Sequence, residues 1–497
     1  MSDMDISSDQ TKALTEFLKT KRWFAGKARR IKSLRVQDSV SLPPPLEAFC
    51  FLLVRVDYVD GGFETYSVPV SNVPTLSDAL SDAGFLQTLL NVMENGRQVR
   101  GDVGSVIGSG SPALSAMLKN LSRPLATLPA LSEQSHSTVF YADRLALKFF
   151  RKLESGENLE LEVGRFLTQQ PGMARVPRIL GALEYQVKGS EPMSLALLQE
   201  FIPSQGDGWQ HAIKFLDSYY VQAEGIKDFA IPSGPFFDFL DREPTSKESA
   251  LLGRYPAQAA LLGERTAELH LAFSGIKEPS FVPEPFTEVY RRSLCSALQG
   301  QTIEVLRILK QRKGLLPVQV QRLADDLLKI ENHILKRYQL LLDCPLTAQR
   351  IRVHGDFHLG QTLFTGNDFV TIDFEGEPDK PLAERRAKCS ALKDVAGMFR
   401  SFHYAGCSVT FNRTPGAGQG LKKWQELWTR WACVYFFKGY SARAGNAAFL
   451  PQKFSEVKLL LEIYLLDKAV YELGYELKHR PDWAEIPLRG ILQMMES

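Results

Sequence analysis

Between residues 353 and 378 the chain reads VHGDFHLGQTLFTGNDFVTIDFEGEP, and three of its oxygen-bearing side chains are spaced for chemistry on a phosphoryl group. Asp356 opens a loop, Gln361 follows five residues later, and Asp373 comes seventeen residues after Asp356. Phosphoryl transfer from ATP asks a protein for a carboxylate to accept the proton of the attacking hydroxyl, for oxygen ligands to Mg²⁺, and for a cation on the nucleotide phosphates. Asp356 suits the first role, as the catalytic base. Gln361 and Asp373 suit the second. The alternating stretch FVTIDF, reached through a turn at Gly366-Asn367, makes a hairpin that carries the three residues to one end. Three matching positions outweigh the alternative of ordinary hydrogen-bonded loop carboxylates.

His354-Gly355-Asp356, the amide at Gln361 and the later strand aspartate follow the H-x-D-x-x-x-x-N arrangement of kinase catalytic loops, with Gln where that pattern has Asn. The cation is sought upstream. Lys148 lies in the apolar strand LALKFF, where an unpaired ammonium is costly. The helical NLELEVGRFL that follows offers Glu160 and Glu162, of which only one can face the strand, since two helical steps turn a side chain by about 200°. Glu162 is the expected partner, because Leu161, Val163 and Phe166 leave it bordering the apolar face. Ahead of Lys148, EQSHSTVFY has no glycine, and Ser135, His136, Ser137 and Thr138 offer hydroxyl and backbone donors to phosphates.

These residues need elements to hold them. Strand-like runs (LEAFCFLLVRVDYV, FETYSVPV) fill an N-terminal segment to about residue 95, broken by SLPPP and DGG. GDVGSVIGSGSPAL reads as a connector; it has neither GxGxxG after a strand nor GxxxxGK[ST], so it carries no phosphate-loop chemistry. A hairpin, STVFYA and LALKFF about a turn at Asp143-Arg144, precedes the glutamate helix, and SLALLQEFI is a further strand. Beyond Pro203 the pattern is mostly helical, as in AQAALLGERTAELHLAF and the single long helix expected over VQVQRLADDLLKIENHILKRYQLLL. The expected class is α+β, with a β-rich lobe before a helical one and a ligand cleft as the common consequence. Near the C-terminus, Lys468, Tyr471, Glu472, Tyr475 and Glu476 recur at spacings of three and four, a polar-aromatic stripe suited to a sugar as well as to a solvated face. Asp394 in LKDVAGM reads as a structural acid buttressing the catalytic loop, and His358 either touches substrate or shapes that loop.

The 497 residues carry a net charge of only +2, so no global field recruits nucleic acid or anionic lipid. No apolar run approaches a membrane helix, and the polar N-terminus has no secretory pattern. Six cysteines without a CxxC, and eight histidines without HExxH, argue against zinc and fit a reducing cytoplasm.

Nearly the whole chain resembles the bacterial maltokinases, relatives of aminoglycoside phosphotransferases with a protein-kinase-like fold. The resemblance runs through KRWFAGKARRI, EQSHSTVFYADRLALKFFRKLESGENLELEVGRFL, LLQEFIPSQGDGW, HGDFHLGQ, IDFEGEP, LKDVAGMFRSFHYAG and LDKAVYELGYELKHRPDWAEIPLRGIL. RWFAGKAR and EQSHSTV depart slightly from the commonest family forms, RWFGGKGR and EQSNTSV. The resemblance implies a bilobal fold with an added cap, divided as cap subdomain 1–95, kinase N-lobe 96–203 and helical C-lobe 204–497. It implies ATP- and Mg²⁺-dependent phosphorylation of maltose at the anomeric hydroxyl, giving maltose 1-phosphate for α-glucan metabolism, with trehalose synthase as a partner. It places ATP on Ser135, Ser137, Thr138, Lys148, Glu162, Gln199 and Phe201, and maltose on His358, Lys468, Tyr471, Glu472 and Tyr475. A related kinase acting on glucosamine or another amino sugar or aminoglycoside is the alternative.

Overall fold

The computed structural model describes residues 8–42, 49–71, 76–129, 136–170, 172, 175–226, 229, 234, 236–275, 278–343, 345–411 and 418–496. The chain divides into two compact units, 1–203 and 204–497.

The first unit is built on two antiparallel sheets. Ile31–Ser41, Phe49–Tyr58 and Phe63–Ser71 pair in sequence order, and the short strands Ser77–Asp78 and Lys152–Leu153 both pair with Phe63–Ser71. The second sheet has seven strands, in the order Gln98–Arg100, Ser105–Gly110, Ile179–Gln186, Met193–Glu200, Leu145–Phe150, His136–Tyr141 and Thr127–Pro129. The β-branched and aromatic residues that make these strands also fill one core. Val40, Phe51 and Leu53 of the first sheet pack in a single cluster with Val139, Leu147 and Leu198 of the second. Buried Asp38 ties the two sheets together. Its carboxylate accepts from the amides of Asp102 (2.9 Å), Val103 (3.1 Å) and Gly104 (2.7 Å) and from the Tyr185 hydroxyl (2.6 Å), so a charge inside the core is fully hydrogen-bonded.

The Gly/Ser-rich segment is not a connector. Ser105–Gly110 is a strand inside the seven-stranded sheet, and Pro112–Lys119 is a helix capped by the Ser111 hydroxyl. Its glycines serve packing: a Cβ at Gly108 would lie 2.3 Å from the carbonyl oxygen of Val92, in the helix Ala83–Glu94. The hairpin that carries Lys148 turns through Ala142, Asp143 and Arg144, which include the two residues expected there, and Ala142 and Asp143 have positive φ (46° and 49°).

The second unit is helical. Its helices begin where caps are encoded, as at Asp207, whose carboxylate and Gln210 form a capping box for Gly208–Glu224. Trp424, Trp428 and Trp431 recur at helical spacing in Gly418–Ala444 and are fully buried. The stretch expected as one long helix is two, Val318–Lys329 and Glu331–Asp343, separated at Ile330. Among the described residues no helix is long and apolar enough to cross a membrane.

Candidate active site

In the first unit, Lys148 is 5% exposed and its Nζ donates to Glu160 Oε2 at 2.5 Å. The expected partner, Glu162, is corrected to Glu160. The phase of the helix Leu159–Thr168 is set by its cap, the Asn158 carboxamide, which accepts from the Glu160 and Leu161 amides. That cap turns Glu160 (4% exposed) into the core and leaves Glu162 at the half-buried flank.

Strand register sorts the remaining nucleotide candidates. Lys148 pairs with Thr138 across one edge of its strand and with Leu197 across the other, while Gln199 pairs with Ala146, two residues from Lys148. Side chains of paired residues share a face, so Thr138 and Gln199 lie on the face that carries Lys148. The Phe201 ring meets Phe140 edge-on at 5.4 Å, and Phe140 pairs with Ala146 on that same face. Ser137 is a correction: period-two alternation turns it to the opposite face, where its buried hydroxyl accepts from Arg151 Nε at 2.9 Å. Arg151 in turn donates to Asp78 at 2.7 Å. Ser135 lies outside the described residues.

In the second unit, Thr362–Phe364 pairs with Phe369–Thr371 in the expected hairpin. Asp373, just past its end, has φ +65°, a left-handed conformation that aspartate tolerates better than most residues. Its Oδ2 accepts from Gln361 Nε2 at 2.9 Å, so an amide and a carboxylate stand side by side. Asp394, fully buried at the start of the helix Leu392–Phe411, accepts from the backbone amides of His354 (2.8 Å) and Gly355 (3.0 Å). Burial works against its ionisation, but these bonds and His270 Nε2 at 3.0 Å hold its carboxyl below the usual range. The His354 ring reaches the Ile372 carbonyl at 2.9 Å, which fastens the loop to the strand that leads into Asp373. Gly397 permits this closeness: a Cβ there would sit 2.6 Å from the Phe357 carbonyl oxygen.

Asp356 has a partner that spacing did not reveal. Lys468, on the helix Phe454–His479, donates Nζ to Asp356 Oδ1 at 2.9 Å, and His358 Nε2 stands 3.9 Å from Oδ2. Burial opposes ionisation of Asp356, yet the Lys468 ammonium outweighs it and holds the carboxyl well below its ordinary value. Burial likewise opposes the charge on Lys468, but Asp356 and then Glu377 raise its pKa. His358 is pushed down to about 4 by burial, with Lys468 adding to the effect, so its ring is neutral. Its Nδ1 accepts from the Gly360 amide at 3.1 Å, which shapes the loop.

The stripe on the last long helix divides. Lys468 and Tyr471 adjoin Asp356, with the ammonium 4.8 Å from the Tyr471 ring centre. Glu472 is held by buried Arg400 through Nη2 at 2.6 Å and Nε at 3.0 Å. Tyr475 points outward, 41% exposed, its ring against His479 at 4.6 Å. Glu476 takes the Tyr404 hydroxyl at 3.2 Å and Arg480 at 2.7 Å. Arg400 and His270 were missed because each reads in sequence as one polar residue on a helix, and their partners lie 72 and 124 positions away.

Residues 17–98 match the maltokinase N-terminal cap domain family. A glucosamine kinase of Streptacidiphilus jiangxiensis is 26% identical over 317 residues, 64% of this chain and 61% of that protein. The match thus leaves more than a third of that relative uncovered. A glucosamine kinase of Mycolicibacterium smegmatis is 21% identical over 371 residues, 74% of this chain and 79% of that protein. A solved glucosamine kinase in complex with glucosamine, ADP and inorganic phosphate superposes with TM-score 0.63 at 19% identity, covering 97% of this chain and 99% of that one. Another crystal form of a glucosamine kinase gives TM-score 0.66 at the same identity and coverage. At that identity the likeness is one of fold. The chain thus has the α+β kinase-like fold shared by these glucosamine kinases, and its residues 17–98 match the maltokinase N-terminal cap domain family.

Proposed function

We propose that the protein transfers the γ-phosphoryl group of ATP to the anomeric hydroxyl of maltose, yielding maltose 1-phosphate and ADP. The observation that carries the chemistry is Asp356, ionised and fixed by Lys468 on Oδ1. Among the described residues Oδ2 has no hydrogen-bond donor, and it is the oxygen assigned to the acceptor's proton. As the sugar oxygen bonds to the γ-phosphorus and the bond from phosphorus to the β,γ-bridging oxygen breaks, that proton passes to Oδ2. A carboxylate with so low a pKa is a weak base for a free alcohol. In a loose transition state the proton moves late, so orientation counts for more than basicity.

Gln361 and Asp373 stand side by side through the amide nitrogen of Gln361 and Oδ2 of Asp373, and the Gln361 carbonyl oxygen and the Asp373 carboxylate are the oxygen ligands that would hold Mg²⁺. When bound, the ion neutralises charge on the phosphate oxygens. Lys148, steadied by Glu160, is assigned to the nucleotide phosphates, with Thr138, Gln199 and Phe201 on its face.

Maltose is preferred on the cap-domain match and on charge. Two acids beside the acceptor position are already paired, Asp356 with Lys468 and Glu472 with Arg400, which lowers the negative charge that would attract a cationic amino sugar. Glucosamine is the second reading, favoured by the glucosamine kinases among the relatives. We further propose a cytoplasmic location with trehalose synthase as partner, and a three-part division at about residues 95 and 203. The deciding experiment measures ADP release with maltose, glucosamine, glucose and trehalose. A clear preference for maltose upholds the assignment, preference for glucosamine replaces it, and no turnover with any sugar removes the kinase reading.

A further inference from the structure

The helix Leu392–Phe411 has two working sides. One bears Asp394, Gly397 and Ser401, all against the catalytic loop: Gly397 abuts Phe357, and the Ser401 hydroxyl accepts from the Leu359 amide at 3.1 Å. The other bears Phe399, Arg400, His403, Cys407 and Thr410, which line a cavity of about 1130 Å³ inside the second unit. At 100° per residue these two sets are separated by roughly 140° around the helix, and neither Asp356, Lys468 nor Tyr471 lines the cavity. It is therefore a different space from the acceptor position. Its remaining walls come from Gly418–Ala444 and Glu485–Glu496, with Phe236, Gln319 and Leu465. Small-molecule sites commonly have roughly 300–1,000 Å³, so this one is large enough for a ligand of two or three sugar rings.

The lining chemistry narrows the ligand. The charged groups are answered locally: Arg489 with Glu485 at 2.7 Å, Lys422 with Glu426 at 3.9 Å, and Arg400 with Glu472 at 2.6 Å. Arg430 lies over the Phe239 ring at 4.4 Å. Burial, reinforced by Arg400, pushes His403 down to about 3, so it enters the cavity as a neutral donor and acceptor. The amides of Gln319 and Gln493 can donate and accept; Thr410 donates to the Cys407 carbonyl at 2.8 Å and Gln425 to Thr429 at 3.1 Å, which leaves the Gln425 carbonyl and the Thr429 hydroxyl proton to a ligand, and the rings of Phe236, Phe399 and Phe411 supply apolar area. Neutral donor–acceptor groups interleaved with aromatic rings match a molecule that has hydroxyls around its edge and C–H groups on its faces. We propose that this cavity is a second carbohydrate site, binding an uncharged oligosaccharide on the side of the helix turned away from Asp356. Arg400 connects the two regions, since it lines the cavity and holds Glu472, one turn beyond Lys468 on the neighbouring helix.

The test uses the full chain and maltotriose, read by hydrogen–deuterium exchange so that binding is located independently of turnover. Maltotriose up to about 20 mM is expected to protect Gly418–Ala444 and Glu485–Glu496. Thr429→Trp, which fills the cavity, should weaken that protection by roughly tenfold or more in half-saturating concentration. Gln493→Trp, at the exposed rim, serves the same purpose if Thr429→Trp does not fold. Absence of protection in both helices overturns the proposal, and so does protection that Gln493→Trp and a folded Thr429→Trp leave unchanged. Protection by glucose 1-phosphate but not by maltotriose overturns the uncharged ligand. Protection that persists although no sugar supports ADP release sustains the second site while the kinase reading falls.

Discussion

Asp356 and Lys468 form the pair on which the chemistry turns, and each has its own test. Asp356→Asn keeps shape and removes charge; turnover should fall by ~10²–10⁴-fold while equilibrium binding of ATP and sugar changes far less. Turnover within about threefold of wild type would move the base elsewhere. Among the other carboxylates of the motif, Glu377 is a poorer candidate. Glu377 is buried and ion-paired with both Lys380 and Lys393. Lys468→Met separates two roles for the lysine. Losing the ammonium that holds Asp356 ionised lets its pKa rise toward the ordinary value near 3.9, so the acidic limb of the kcat/KM profile should move to higher pH. A lysine that only grips the sugar would raise KM for sugar and leave that limb in place. Asp373→Ala should abolish turnover at ordinary Mg²⁺ concentrations without unfolding the chain.

At the scale of elements, the cap and phase of one short helix choose between two glutamates. Because Asn158 starts the helix Leu159–Thr168 where it does, Glu160 meets Lys148. Glu160→Gln should therefore impair ATP kinetics as Lys148→Met does, whereas Glu162→Gln should stay within about threefold of wild type; equal effects would return Glu162 to the pair. A second element-level test concerns the approach of the helix Leu392–Phe411 to the catalytic loop. Gly397→Val would drive a branched side chain into the Phe357 carbonyl, already 2.6 Å from where a Cβ would be. We expect a loss of ~1–3 kcal/mol in a denaturant melt, together with a drop in kcat from displacement of Asp356.

For the molecule as a whole, acid should act first through histidines held neutral in the helical unit. His358 and His403 are pushed down to about 4 and about 3 by burial, below the roughly 6.5 of an unfolded histidine. Their contribution to stability is thus full above about pH 6.5 and is lost as pH falls through the window below it, because the unfolded chain takes up protons first. Asp356 and Asp394, whose pKa values are depressed, lose their contribution only lower, below the ordinary aspartate value of about 3.9. The melting temperature should decline from pH 6.5 to 4.5, and His403→Gln should flatten that decline. An unchanged slope in the variant would mean that His403 is already protonated in the fold.

Local order carried the part of this protein that depends on neighbours in sequence. The offsets of Asp356, Gln361 and Asp373, the hairpin between them and the change from strands to helices near Pro203 are all local patterns, and hydrophobic period and turn chemistry suffice to read them. Tertiary structure decided what depends on partners distant in sequence. Lys468 was legible as one member of a helical stripe, but its bond to Asp356 spans 112 positions. No spacing rule links two elements whose approach is set by packing. Ser137 and Thr138 are adjacent and chemically alike, and only the strand's facing, with Arg151 on one side and Lys148 on the other, separates them. The glycines at 108 and 110 looked like flexibility because composition does not distinguish a loose chain from one pressed against a helix. The cavity behind the helix Leu392–Phe411 has no local signature at all, since a space between helices comes from side chains that the sequence holds far apart.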